Sequence, residues 1–310
     1  METLAIWLSA CQGVCPPKVP ANVRAVVFAG DHGVSAQGVS AYPREVTPAM
    51  VRTIAAGGAG ISVLARINDV SLRVLDIAVD DDLEGLPESI GAEKIRRSSG
   101  AINVQDACTA QEIDRAIAAG ARIAGQEIAA GADLLVVGDL GIGNTTPAAA
   151  LIAAVLGLTA AQVTGRGTGI DDSGLARKHA VIDAALARTT GRREPGELLA
   201  ALGSTDLAAA VGFLIAAAAA GVPVLLDGVI AVAEALVAER LCPGTAAWFA
   251  AGHRSTEPAQ SLALAELGLV PLLDLGMRLG EGTGAVAAVP LVRAAAALLG
   301  QMALLADLQP

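Results

Sequence analysis

The chain has 310 residues, of which 54% are hydrophobic and 17% charged, and its formal net charge is −10 at pH 7. This amount of apolar material excludes intrinsic disorder and suffices for one large or two modest domains. The negative charge, together with an aromatic content of only 2%, argues against binding to nucleic acids or anionic membranes. Any anion that the protein binds is therefore expected to be held by a local site.

Two uncharged stretches, residues 140–165 and 207–226, are long enough to span a bilayer. The first is interrupted by polar residues at 144–147 and the second by Gly-Val-Pro at 221–223, and neither is flanked by clustered Lys or Arg. We therefore expect no membrane span. The first three residues, Met-Glu-Thr, contain no basic run, which predicts that the chain has no secretory signal.

Cysteine and histidine usage is typical of a cytoplasmic protein. There is no Cys-x-x-Cys pair, and the three histidines are far apart in the sequence. We therefore expect inert thiols, no structural metal site and a cytoplasmic location. The residues concerned are Cys11, Cys15, Cys108 and Cys242, with His32, His179 and His253.

In chain order, about six short apolar runs each end just before a loop rich in Gly and polar residues. None of the runs alternates apolar and polar residues, which predicts strands buried on both faces, as in a parallel sheet. Helical segments separate the runs, among them residues 111–130. The expected fold is α/β, a parallel Rossmann-like sheet of about six strands with helices on both faces. The predicted strands are residues 23–29, 72–77, 134–137, 222–226, 246–250 and 269–275.

The loops that follow these runs carry most of the polar residues of interest. In an open α/β sheet the ligand crevice lies beyond the carboxyl ends of the strands. Loops that are distant in the sequence are therefore expected to converge on one site.

The most informative of these loops is residues 139–146. Gly141 and Gly143 allow backbone N–H groups to approach an anion, and Thr145 and Thr146 add hydroxyls at a predicted helix start. The spacing fits neither a dinucleotide fingerprint, because Thr146 stands at the third Gly position, nor a P-loop, because Asn144 stands where Lys is required. A tight turn with a Thr N-cap is the alternative interpretation.

A second loop, residues 165–172, is rich in Gly and hydrogen-bond donors. Arg166 in this loop and Lys178 beyond it could neutralise a phosphate. The alternative is a solvated connection with no ligand.

Glu281 lies between glycines in the Gly-rich segment 280–284, after an apolar run. A Glu in a low-dielectric pocket has a raised pKa, which suits a general base for a weakly acidic nitrogen. The alternative is a capping or solvent-facing Glu. Asp139 and Asp227 also follow predicted strands, but an Asp beside a Gly is often only a turn former.

Two histidine segments could contribute acid–base pairs, Asp31-His32 and the His253-x-Ser255-x-Glu257 pattern. The chain has no Gly-x-Ser-x-Gly elbow, which argues against a serine hydrolase. His253 and Glu257 have helical metal-ligand spacing, but the following Pro and the loop context weaken that interpretation. A structural hydrogen-bonding role for either histidine is equally compatible with the sequence.

Five segments taken together resemble one family, the nicotinate-nucleotide:dimethylbenzimidazole phosphoribosyltransferases, which make the lower-ligand nucleotide of cobalamin. The resemblance runs from about Leu4 to the C-terminus. The segments that carry it are residues 30–43 (Gly-Asp-His-Gly-Val, then Gly-Val-Ser-Ala-Tyr-Pro), 141–147 (Gly-Ile-Gly-Asn-Thr-Thr-Pro), 165–169 (Gly-Arg-Gly-Thr-Gly), 252–258 (Gly-His-x-Ser-x-Glu-Pro) and 276–284 (Gly-Met-Arg-Leu-Gly-Glu-Gly-Thr-Gly).

The resemblance implies transfer of the 5-phosphoribosyl group from nicotinate mononucleotide to 5,6-dimethylbenzimidazole, giving α-ribazole 5′-phosphate and nicotinate, without a cofactor. It implies that Glu281 is the general base for the benzimidazole N–H. The residues implied to bind phosphate and ribose are Gly141, Ile142, Gly143, Asn144, Thr145, Thr146, Gly167, Thr168, Gly169 and Lys178. Those implied to form the base pocket are Asp31, His32, Ser40, Tyr42 and Leu279. Further site candidates are Asp139, Asp227, Ser255 and Glu257.

The resemblance also implies a homodimer, with a catalytic domain at 20–285 and a small helical subdomain from 1–19 and 286–310. Family members commonly have Glu where this chain has Asp139, and they begin with an extra segment containing Lys-Pro-x-Gly-Ser-Leu. The shorter start is expected to affect activity and assembly. Transfer to another azole or purine base and nucleotide binding without catalysis are the alternatives. Because aromatic residues are scarce, we expect only Tyr42 or Phe28 beside the bound base.

Overall fold

In the computed structural model, which describes residues 1–303 and residue 306, the core of the protein is a parallel sheet. Over these residues the sheet has five strands, β1 (Val23–Gly30), β2 (Val70–Ala78), β3 (Leu134–Leu140), β4 (Val224–Leu226) and β5 (Phe249–Ala251). Their order across the sheet is β2-β1-β3-β4-β5. The order reverses between β1 and β3, which is the topological switch point at which such sheets bind ligands.

The prediction of parallel strands buried on both faces is confirmed. β1 lies between β2 and β3, with Val23 opposite both Val70 and Leu134. Side chains of β1 alternate between two apolar clusters, with Phe28 in one and Val27 in the other. Helices therefore cover both faces of the sheet.

The prediction of a sixth strand at 269–275 is wrong for the described structure. Leu272 and Leu273 donate backbone hydrogen bonds to Ala251 and Gly252, but only an isolated bridge between His253 and Leu273 forms. Residue 271 is a proline, which has no N–H to donate to a ladder. The predicted strand 246–250 is likewise shifted to β5, because residues Thr245–Trp248 form a 3₁₀ turn.

Helices connect the strands, and the predicted helix at 111–130 is confirmed as the fifth of them. A capping box between Thr109 and Glu112 begins that helix. The helices are α1 (Glu2–Gln12), α2 (Val46–Ala55), α3 (Gly60–Ile67), α4 (Glu88–Gly91), α5 (Ala110–Ala129), α6 (Thr145–Leu156), α7 (Ala160–Val163), α8 (Asp172–Arg188), α9 (Pro195–Leu202), α10 (Thr205–Ala219), α11 (Val229–Leu241), α12 (Pro258–Leu267) and α13 (Thr283–Gln301).

The abundance of Ala and Gly is explained by how closely the helices approach one another. A Cβ at Gly120 of α5 would lie 2.7 Å from the carbonyl carbon of Ala209 in α10. A Cβ at Gly212 of α10 would in turn lie 2.7 Å from the carbonyl carbon of Ile117 in α5. Both distances are too short for real side-chain atoms, so the two helices can pack this closely only with glycine at these positions.

The first and last helices, α1 and α13, pack against each other and share an apolar cluster with the sheet. Leu8 of α1 and Val289 of α13 belong to the same cluster as Val27 of β1. The division into a domain at 20–285 and a helical subdomain from both termini stays a prediction. Residues 304–305 and 307–310 of that subdomain lie outside the described residues.

Two helical segments, Val46–Ile67 and Thr283–Gln301, are long and apolar enough to cross a membrane. They differ from the two uncharged stretches considered in the sequence. The first is divided between α2 and α3, and half of the second is buried within the protein. Core helices of globular proteins pass the same test, so these two segments are only weak indications of a span.

Candidate active site

A cavity of about 410 Å³ opens beyond the carboxyl ends of the strands. Its wall comes from the loops after β3, β4 and β5, from the start of α2 and from the segment before α13. Segments far apart in the sequence thus converge on one cavity, as expected. The lining residues are Tyr42, Val46, Met50, Asp139, Leu140, Gly141, Ile142, Asn144, Thr145, Gly167, Thr168, Asp227, Gly228, Val229, Ile230, Ala231, His253, Ser255, Glu257, Arg278, Leu279, Gly280 and Glu281.

Most of the candidate residues named from the sequence lie on this wall, including Glu281, Asp139, Asp227 and Glu257. Some others lie directly behind it or at its rim. Ser40 places its hydroxyl oxygen 3.4 Å from that of Thr168 at the rim. Those outside the wall are Gly143, Thr146, Gly169, Lys178, Ser40, Asp31 and His32.

Asp31 and His32 are not on the cavity wall, in contrast to the base-pocket position that the resemblance implies. The carboxylate of Asp31 accepts a hydrogen bond from the backbone N–H of Asp80 at 2.8 Å. His32 is fully buried behind Gly141 and lies 3.3 Å from Asp206.

One end of the cavity combines a buried lysine with the N-terminus of a helix, an arrangement suited to an anion. Lys178 is fully buried, and its ammonium donates a hydrogen bond of 2.8 Å to the hydroxyl of Thr145, the first residue of α6. The N-terminus of α6 points its backbone dipole at the same place. Glu257 accepts the Gly167 N–H at 2.7 Å and lies 3.7 Å from the Lys178 nitrogen. Burial lowers the pKa of Lys178, and the charge of Glu257 opposes that shift.

At another part of the wall lies Glu281, a carboxylate that is only 6% exposed. Its Oε2 atom is buried without a hydrogen-bond partner. Burial raises the pKa of Glu281, and the backbone N–H of Ile61 opposes the shift. A raised pKa and a free oxygen are what a general base requires.

The backbone of Glu281 is held in an unusual conformation by its surroundings. Its φ is 65°, in the left-handed region that non-glycine residues rarely adopt. A Cβ at Gly138 of β3 would lie 2.7 Å from the Glu281 carbonyl carbon, so the glycine permits this close approach. Strained residues of this kind cluster at functional sites.

Asp227 joins the Glu281 segment to the sheet. Its carboxylate accepts hydrogen bonds from the backbone N–H groups of Gly282, Gly284 and Ala285. His253 lies 3.3 Å from the same carboxylate. Burial alone would raise the pKa of Asp227, but these partners lower it below its usual range. Asp227 is therefore an ionised cap for the start of α13.

Asp139 on the cavity wall and His32 behind it belong to a buried polar cluster with Asp206 and Glu234, two acids that the sequence did not indicate. Asp139 accepts a hydrogen bond of 2.7 Å from Asn144, but its other oxygen and both oxygens of Asp206 and Glu234 have no hydrogen-bond partner. Asp206 and Glu234 lie on Ala-rich helices outside any motif. The one available signal was for Asp206, which is the only charged residue in the sequence of α10.

The pKa shifts show how this cluster can carry so many acids. Burial raises the pKa values of Asp139 and Glu234 well above their usual range, and the neighbouring acids add to the shift. Burial disfavours the charged forms of Asp206 and His32, but the attraction between their opposite charges outweighs this effect. The pKa of Asp206 is therefore lowered and that of His32 is raised. His32 and Asp206 thus favour each other's charged forms, whereas Asp139 and Glu234 are shifted towards their protonated forms.

By ligand type and distance, His32, Asp139 and Asp206 could also hold a metal ion, since their ligand atoms lie within 4.8 Å of one another. The expectation that the protein has no metal site stays a prediction.

The remaining wall is apolar, with Val46, Met50, Ile142 and Leu279 among its residues. Tyr42 is its aromatic member and is 54% exposed. Phe28, the other aromatic candidate, packs instead in the core with its ring centroid 5.6 Å from that of Phe213. The wall can therefore accept a flat apolar ring between aliphatic side chains, with Tyr42 at the mouth.

The fold and the cavity define a doubly wound α/β protein whose single cavity has a buried lysine beside a helix N-terminus and a buried carboxylate. A family model described as "Phosphoribosyltransferase" matches residues 1–308. The chain belongs to this family, and specifically to its nicotinate-nucleotide–dimethylbenzimidazole branch, as its relatives show.

Among the curated relatives, two named nicotinate-nucleotide–dimethylbenzimidazole phosphoribosyltransferase illustrate the similarity. The protein of Mycobacterium avium (strain 104) is 55% identical over 310 residues, covering 99% of this chain and 88% of the relative. That of Mycobacterium leprae (strain TN) is 53% identical over 308 residues, covering 99% and 87%. The crystal structure of CobT from Thermus thermophilus superposes with a TM-score of 0.92 at 45% identity, covering 96% of this chain and 89% of that one.

Proposed function

We propose that this protein transfers the 5-phosphoribosyl group of nicotinate mononucleotide to 5,6-dimethylbenzimidazole, giving α-ribazole 5′-phosphate and nicotinate. The observation that carries the proposal is the pairing of two features in one cavity. These are the buried Lys178–Thr145 pair at the N-terminus of α6 and the buried, partly unpartnered carboxylate of Glu281. Family membership and the names of the relatives support the same reaction.

The donor is positioned by its phosphate. The hydroxyl of Thr145 and the N-terminus of α6 would bind the phosphate oxygens, with the Lys178 charge directly behind them. Glu257 holds the Gly167 loop against this end through the Gly167 N–H. Anchoring the phosphate in this way fixes C1′ of the ribose in the middle of the cavity, which removes much of the entropic cost of the transfer.

The acceptor ring would lie against the apolar wall with its N–H toward Glu281. One ring nitrogen attacks C1′, the bond from C1′ to the nicotinate nitrogen breaks, and its electron pair goes to that nitrogen. The Glu281 carboxylate takes the proton from the other ring nitrogen, so no charge remains on the product ring. Proton transfer of this kind contributes about 10²–10⁴-fold to a rate.

A second candidate reaction is transfer to another azole or a purine base. Tyr42 and Leu279, which border the base region, are 54% and 63% exposed, so the mouth is open enough for rings of other shapes. A competition assay between dimethylbenzimidazole, benzimidazole and adenine distinguishes the two reactions by which product dominates.

The proposal is tested by incubating the protein with both substrates and separating the products by chromatography. We expect α-ribazole phosphate and nicotinate in equal amounts, and about a 10²-fold or greater loss of rate in Glu281→Gln. Glu266→Gln is the matched control, because Glu266 is exposed on α12 and pairs with Arg240. Substrate binding without turnover by the unmodified protein would contradict the proposal and favour a non-catalytic role.

A homodimer and a cytoplasmic location are further parts of the proposal. The first rests on the resemblance and the second on cysteine usage. Light scattering of the purified chain tests the first, and cell fractionation tests the second.

A further inference from the structure

The buried cluster of His32, Asp139, Asp206 and Glu234 has no part in the proposed mechanism, although one of its members, Asp139, lines the cavity. None of the four residues is more than 6% exposed. Among the described residues, both carboxylate oxygens of Asp206 and of Glu234 have no hydrogen-bond partner. Burying polar groups without partners costs stability, so a cluster of this kind beside an active site points to a functional role.

Asp206 is held in place by two features of the fold. It lies in the first turn of α10, where the backbone dipole favours a negative charge. A Cβ at Gly30, the last residue of β1, would lie 2.5 Å from Cγ of Asp206. The carboxylate can therefore rest against the end of β1 only because residue 30 has no side chain.

His32 joins Asp206 to the loop that leads from β3 to α6. Its Nε2 atom lies 3.3 Å from Oδ2 of Asp206. A Cβ at Gly141 would lie 2.8 Å from the same nitrogen, so the imidazole packs directly against the backbone of the loop. Gly141 lines the cavity, and His32 lies behind it. The His32–Asp206 pair therefore supports this loop from the side that faces away from the cavity.

Asp139 connects the cluster to the start of α6. Ligand atoms of His32, Asp139 and Asp206 lie within 4.8 Å of one another. Oδ1 of Asp139 accepts a hydrogen bond of 2.7 Å from the side-chain amide of Asn144, which is the N-cap of α6 and precedes Thr145. A displacement of the cluster would thus be transmitted to the helix N-terminus that is assigned to the donor phosphate.

We propose that His32 and Asp206 are positioning residues, which hold the segment 139–145 from behind and so fix the Thr145 hydroxyl and the N-terminus of α6 for the donor phosphate. This inference rests on the proposed function of the same cavity. The pair acts through this segment and not on the substrates. A displaced segment would lose hydrogen bonds to a charged phosphate, and a loss of this kind weakens binding by about 10- to 100-fold.

The acceptor side of the cavity has a separate support. The backbone N–H of Ile142 donates a hydrogen bond of 3.1 Å to the hydroxyl of Thr47 in α2. Val46 and Met50 of the same helix form part of the apolar wall. Loss of the His32–Asp206 pair should therefore affect the donor more than the acceptor.

The test is titration calorimetry with nicotinate mononucleotide, and separately with dimethylbenzimidazole, on the unmodified protein, Asp206→Asn and His32→Gln. We expect each substitution to weaken donor binding by about tenfold or more and acceptor binding by less than about threefold. Because the two residues act as one unit, the double variant should bind the donor within about threefold of the single variants.

Glu127→Gln is the matched control. Glu127 is also a buried carboxylate, 1% exposed, but it pairs with Arg24 and Arg73 on β1 and β2 and is not among the residues of the cavity wall. Urea unfolding measures the stability that each variant loses. We expect the control to lose stability while its affinity for the donor stays within about twofold of the unmodified protein.

Three results would overturn the inference: folded Asp206→Asn and His32→Gln proteins that bind the donor as tightly as the unmodified protein, a double variant whose loss is the product of the single losses, or failure of both single variants to fold, which would assign the pair to the fold alone. Because the readout is binding, an unmodified protein that forms no product sinks the proposed function, and the expected loss of donor affinity in the variants still supports this inference. Binding of neither substrate by the unmodified protein overturns both.

Discussion

Replacing Gly138 by Ala should slow catalysis by displacing the backbone of Glu281. The substitution replaces none of the side chains that line the cavity. The new Cβ would lie 2.7 Å from the Glu281 carbonyl carbon and 2.9 Å from the Gly282 nitrogen, whereas ordinary contacts begin at 3.4 Å. The Glu281 carbonyl oxygen is closer still, so Glu281 must move by about 1 Å, since the central strand β3 cannot yield easily. Its positive φ leaves little room to relax in place.

The expected size of the effect follows from this displacement. A misplacement of about 1 Å can cost 10²-fold in rate, so we expect kcat to fall by about 10- to 100-fold in Gly138→Ala. The overpacked contact should also lower the free energy of unfolding by about 1–3 kcal/mol. Donor binding should change little, because Lys178 and Thr145 are at the other end of the cavity.

The assay is steady-state product formation, with urea unfolding to confirm that each variant is folded. Gly125→Ala is the matched control, because Gly125 is exposed on α5 and a Cβ there meets nothing within 4 Å. We expect the control to keep full activity and gain about 0.4–1 kcal/mol in stability. A folded Gly138→Ala protein with unchanged kcat would refute the view that this contact positions Glu281.

Two further predictions concern the other polar groups of the cavity. Lys178→Met should raise the KM for the donor by about tenfold or more, because the phosphate loses a charged partner. The KM for the acceptor should stay unchanged. An unchanged donor KM in steady-state kinetics would contradict this prediction. Burial alone would lower the pKa of His253, but Asp227 raises it. The stabilisation from this pair should therefore be complete below about pH 6.5 and lost as pH rises through the higher folded pKa. Urea unfolding between pH 6 and 9 should show that loss, and His253→Asn should remove that part of the slope; an identical slope would exclude the pairing.

The sequence predicted the sheet well where strands are long, apolar and uninterrupted, as in β1 and β3. It failed at the sheet edge, where residues 269–275 are apolar like a strand but include Pro271. A proline has no backbone N–H to donate to a neighbouring strand, and only an isolated bridge forms there. The apolar composition of this segment is compatible with a buried strand. Whether the segment joins the sheet depends on backbone hydrogen bonds, which composition does not predict.

The candidate site was predicted in the same uneven way. Glycine-rich loops pointed to Thr145 and Glu281 as candidates, and the structure places both on the cavity wall. His32 was assigned to the base pocket because its motif suggested it, but pairing with Asp206 draws it behind the wall. A local sequence pattern does not show which residue of a distant helix a side chain will contact. Asp206 and Glu234, on α10 and α11, were missed for this reason.

The most direct test of the central claim, that Glu281 takes the acceptor proton, is the pH dependence of single-turnover product formation. Burial raises the pKa of Glu281 above that of an ordinary glutamate, and a base acts only when deprotonated. The account predicts that the rate falls as pH drops through this raised value, and that Glu281→Gln shows a low rate with no such step. The same pH step and a similar rate in Glu281→Gln would contradict it.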